Sequence, residues 1–157
     1  MEPDNNKFKI LLETTSQQFD TIANADNTLD QKAGTLMGFE ITVVIGVLTL
    51  LMSQLRGIKL YEAYLAIFIL LISISILLYI SWPKKYFNAS VDLRNNQDYL
   101  NKEEGPLLLQ LISDKNKAID DNSETLKRKT KLFKLAIILL MISFALLILS
   151  KLSKFYV

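Results

Sequence analysis

The sequence contains no cysteine and no histidine. The first absence excludes disulfides, thiolate nucleophiles and zinc-thiolate sites. The second removes the usual general base, the commonest metal ligand and the side chain that changes charge near neutral pH. No catalytic group, metal site or cofactor is therefore expected. Proline and glycine are almost as scarce, at 3 and 5 of 157 residues. No proline falls between Pro3 and Pro83, so a helix that begins near the N-terminus can run unbroken into the apolar part of the chain. Gly34 and Gly38 are its candidate bend points.

What the chain has in quantity is apolar residues, 50% of the total, gathered into blocks instead of being spread at amphipathic spacing. The blocks cover 34–55, 60–82 and 132–150. The first two have 22 and 23 residues by their bounds, enough at about 1.5 Å per residue to cross roughly 30 Å of hydrocarbon. The third is shorter, but apolar residues continue on both sides of it. The fold class expected is an all-α integral membrane protein with three transmembrane helices. Residues 1–33 read as an amphipathic helix, with Phe8, Leu12, Thr15, Phe19, Ile22, Asp26 and Leu29 on one face. That segment lacks a basic stretch leading straight into an apolar run, so the first span is expected to act as its own insertion signal. Residues 84–131 read as a helical hairpin broken at Gly105-Pro106, its second arm continuous with the third span. At least two spans would thus extend into a helical stalk.

Lysine and arginine set the expected orientation. Of the 18, 14 lie in the N-terminal segment and around the second loop, against four on the other side: Arg56, Lys59, Lys151 and Lys154. Positive charge stays inside, so the N-terminus and the stalk are expected in the cytoplasm and residues 151–157 outside.

Three groups of residues are candidates for function. On the first span Thr35, Gly38, Thr42, Gly46, Thr49 and Ser53 recur every three or four positions and share one face. Such a stripe serves either close helix packing or the lining of a wetted pore, and both imply a homo-oligomer. Glu40 is the one charge well inside a span, and an intramembrane carboxylate is costly enough to suggest a role. It competes with the stripe as a pore-lining candidate, because at 100° per residue it lies on the opposite face. Lys84, Lys85, Arg94, Lys127, Arg128, Lys129 and Lys131 border the spans. They fit topology setting and anionic headgroups, or else the phosphates of a nucleotide or oligonucleotide. Asp120-Asp121 and Glu103-Glu104 lie on solvated surface or beside a turn and make poor acid–base pairs. Asp26, on an apolar face, is suited to fixing helix register.

Residues 25–39, ADNTLDQKAGTLMGF, resemble the start of the first span in small membrane effectors of bacterial antiphage defence, the Pycsar-type transmembrane effectors and those associated with SMODS nucleotidyltransferases. Asp30, Lys32, Ala33 and Gly34 carry the likeness. The resemblance implies a protein of the bacterial inner membrane that is silent until a nucleotide or oligonucleotide signal appears, then assembles or opens and dissipates ion gradients. The chain differs from the commoner forms in its third span and its lack of a separate ligand-binding domain, so either the stalk or a partner such as a nucleotidyltransferase would sense the signal. The alternative is a non-conducting adaptor whose stalk recruits a soluble partner.

Overall fold

A computed structural model describes residues 5–52, 60–82 and 104–152. These form three helices, α1 (Asn5–Met52), α2 (Leu60–Ser81) and α3 (Glu104–Leu152). Each contains a stretch long and apolar enough to cross a membrane, as the three apolar blocks predict. The tight connection about Gly57, Ser53, the first arm of the hairpin with Lys84, Lys85 and Arg94, and the tail from residue 153 lie outside the described residues.

The scarcity of helix breakers has the expected local effect. α1 runs for 48 residues, with Gly34, Gly38 and Gly46 inside it and no interruption. α3 runs for 49 and begins one residue before Gly105-Pro106. Pro106 sits in the first turn, where a backbone N–H would have no intrahelical acceptor and its loss costs nothing. The Gly-Pro pair thus marks a helix start.

The helices divide into two compact units. The first is built from α1 up to Asn27 and α3 up to Lys127. Here α1 and α3 run parallel: Lys9 pairs with Glu104 at 2.8 Å, and further along both helices Lys115 Nζ donates to the Ser16 hydroxyl. Leu108, Ile112 and Ala118 are buried together with the polar Thr15, Asp26 and Asn122. The burial of Asp26 agrees with its place on the apolar face. Thr15 is satisfied by donating to the carbonyl of Leu11 at 2.8 Å, inside its own helix.

The second unit holds α1 from Thr28, all of α2 and α3 from Arg128. Its buried positions repeat at seven residues or at three and four: Ala33, Glu40 and Val47 on α1; Ala63, Ala66, Leu70, Ser73, Leu77 and Ile80 on α2; Lys129, Ala136, Ser143 and Ser150 on α3. That is a heptad seam, the pattern of helices that cross at a shallow angle with side chains interlocked. The seam is rich in alanine and serine. In lipid there is no gain from hiding apolar surface, so small residues that bring backbones close together supply the association energy.

Candidate functional site

Glu40 lies at the centre of the second unit, with no exposed surface. Ser73 Oγ of α2 is 2.8 Å from its Oε1 and 3.1 Å from the carbonyl oxygen of Ala136 on α3. One carboxyl and one hydroxyl therefore tie all three helices at one level. The Ser73 hydroxyl carries one proton and has two acceptors in reach. The hydroxyl donates to the shorter contact, Glu40 Oε1, and can share its proton with the Ala136 carbonyl. Glu40 Oε2 is buried and has no hydrogen-bond partner among the described residues.

Seven residues away on each helix, α2 and α3 repeat the contact in reverse: Ser143 Oγ donates to the carbonyl oxygen of Ala66 at 3.1 Å. The reciprocal pair fixes α2 and α3 as antiparallel and close enough for a serine to reach the opposing backbone. Alanine at 66 and 136 permits this, because a longer side chain would stand in the way. Neither serine nor either alanine stands out when the spans are read as apolar blocks; the signal was the seven-residue spacing of small residues in both. Ser143→Ala removes one interhelical hydrogen bond and is expected to cost about 0.6 kcal/mol. Ser73→Ala also strips Glu40 Oε1 of its partner and is expected to cost about 1–3 kcal/mol. Reversible unfolding in detergent micelles measures both.

At the far end of the same unit Lys129 is only 2% exposed and donates to both carboxylate oxygens of Asp30, at 2.9 and 3.1 Å. Of the basic residues singled out in the sequence, Lys127, Arg128 and Lys131 are exposed, whereas the Lys129 ammonium is directed inward to α1. In the run Lys127, Arg128, Lys129, Lys131 the cations look interchangeable. Position 129 differs in falling seven residues before Ala136, on the buried seam.

The small-residue stripe turns the other way. Thr35, Gly38, Thr42, Gly46 and Thr49 are all exposed, on the side of α1 opposite Glu40, as the 100° rule requires. Thr35, Thr42 and Thr49 donate to the carbonyls of Gln31, Gly38 and Ile45 at 3.0, 3.0 and 2.8 Å. Each hydroxyl proton is thus satisfied within α1, leaving lone pairs for water or a neighbouring helix. A Cβ built on Gly34, Gly38 or Gly46 would meet nothing within 4 Å. Among the described residues no contact inside the protomer requires these glycines. By contrast, the outward faces of α2 and α3 carry large apolar side chains, Phe68, Leu71 and Tyr79 on one and Ile138, Met141 and Leu149 on the other. Those faces suit lipid; on α1 the exposed Phe39, Ile41, Ile45 and Leu48 suit it too, and the small-residue stripe runs among them.

Among the described residues no group of His, Cys, Asp or Glu could hold a metal ion. A family model described as the Pycsar effector protein domain matches residues 11–153. No curated protein and no solved structure matches the chain.

Proposed function

Because the chain belongs to the Pycsar effector protein domain family, antiphage defence effectors with transmembrane helices, we propose that it acts as a homo-oligomeric pore that dissipates the gradients of the bacterial inner membrane. The observation that carries this reading is the asymmetry of the three outward faces. α1 exposes a run of small and hydroxyl-bearing residues, Thr35, Gly38, Thr42, Gly46 and Thr49, set among Phe39, Ile41, Ile45 and Leu48, whereas the exposed residues of α2 and α3 are mostly large and apolar. Small residues allow copies of α1 to approach closely, and the threonine lone pairs tolerate water along the resulting contact. Glu40, tied to α2 and α3 within each protomer, supports the bundle that presents this face.

Gating follows the same geometry. A nucleotide or oligonucleotide, or a partner that makes or carries one, would hold one arrangement of the helices more tightly than another and so shift a two-state equilibrium. Arg128 and Lys131 are exposed and of the right charge for phosphate. The Asp30–Lys129 contact is where a pull on α1 or α3 would be felt within the membrane unit.

The test is a proteoliposome assay of membrane potential with the purified full-length protein, with cyclic mononucleotides and short oligoribonucleotides as probes. Loss of potential on addition of one probe class supports the pore. An unchanged potential under all of them, with a soluble protein retained stoichiometrically on the membrane form, favours the adaptor instead.

A further inference from the structure

An open groove of about 780 Å³ runs between α1 and α3 within the second unit. We propose that it is a binding site for one anionic phospholipid, with the phosphate on Lys32 and an acyl chain laid along Phe39 and Ile137. The volume lies within the roughly 300–1,000 Å³ of pockets that take small molecules.

The order of chemistry along the groove names the occupant. Its α1 wall starts with Thr28, Gln31 and Lys32 and ends with Leu36 and Phe39, while α3 contributes only apolar side chains, among them Phe133 and Ile137. From residue 28 to residue 39 the helix rises about 16 Å, so the wall passes from headgroup chemistry to chain chemistry over the depth at which a bilayer does the same. A free nucleotide would find hydrogen-bonding groups at one end and bare hydrocarbon along the rest.

Charge points the same way. Lys32 is exposed on the groove, and the neighbouring acid, Asp30, has its carboxylate engaged by Lys129. The polar end is therefore net cationic, and basic pockets between transmembrane helices are suited to anionic headgroups.

A second copy of the chain would fill the groove differently. Close helix packing needs small residues on the wall, but here Phe39 and Phe133 stand there, and of the small-residue stripe Thr35 lines the groove while Gly38, Thr42 and Gly46 do not. Wide spacing and aromatic walls fit a flexible chain better than a helix. The site does not depend on whether the protein conducts.

Native mass spectrometry of the full-length protein, released from mixed micelles of phosphatidylglycerol and phosphatidylcholine, tests the proposal. One phosphatidylglycerol per protomer should be retained preferentially. Lys32→Ala should lower that retention about fivefold, the effect of one lysine at a membrane surface, and Lys32→Arg should preserve it. Glycerol phosphate, the headgroup chemistry without chains, should not compete. Equal retention of the two lipids, indifference to Lys32→Ala, or competition by glycerol phosphate would overturn the site. So would efficient Ile137→Cys cross-linking between copies in membranes, which would assign the groove to a protein contact away from the α1 stripe; the absence of native cysteine makes that result unambiguous.

Discussion

Asp30→Asn is expected to destabilise the membrane unit by about 3 kcal/mol, more than Asp30→Asn combined with Lys129→Met. The reason lies in what each change leaves behind. Asn at 30 keeps the shape but deprives a nearly buried ammonium of the carboxylate that holds it at 2.9 and 3.1 Å. Breaking a buried ion pair from one side typically costs about 3–5 kcal/mol because a buried charge is left uncompensated, and removing the second charge as well lifts that penalty. Asp30 is one-third exposed, which places the loss at the lower end. A double-mutant cycle read by unfolding in detergent checks it, and a double variant no more stable than Asp30→Asn would contradict it. If this contact restrains α1 against α3 in the resting state, Asp30→Asn should also leak ions without any signal.

Gly38→Leu and Gly46→Leu are expected to leave the protomer folded and to reduce ion leak at least tenfold. Within the protomer there is room: a Cβ at either position meets nothing within 4 Å. Helix propensity even favours the change, since glycine in a helix interior costs about 1 kcal/mol relative to alanine. A defect must then arise from something the isolated protomer does not contain, and the candidate is the same face of a second copy. Helical content by circular dichroism reports the first expectation and the decay of membrane potential in proteoliposomes the second. Glu40→Gln is the contrasting variant. Its amide oxygen can accept from Ser73 as the carboxyl oxygen does, so stability and leak should stay close to those of the unaltered protein.

Apolar runs made the three spans legible, and the gap between Pro3 and Pro83 made the continuity of α1 legible, because both depend on composition along the chain. The opposition of Glu40 and the stripe could also be read in advance, since residues on one helix keep fixed angles to one another. What could not be read was which residues on different helices meet. Ser73 and Ser143 look like incidental hydroxyls in apolar runs until Ala136 and Ala66 are placed opposite them. Lys129 is indistinguishable from its basic neighbours until the α3 seam is known, and only then does its pairing with the Asp30 of the recognised motif follow. Tertiary register supplied those partners; the seven-residue spacing of small residues was the part of it written in the sequence.

In the function proposed above, copies of this protein meet through the outward face of α1 and conduct there. The most direct measurement is potassium-diffusion potential in proteoliposomes bearing the unaltered protein, Gly46→Leu or Glu40→Gln, with the same nucleotide probes added to each. Collapse of the potential is expected with the unaltered protein and Glu40→Gln, and its persistence with Gly46→Leu at equal helical content. Collapse at the same rate with Gly46→Leu, or loss confined to Glu40→Gln, would contradict that function.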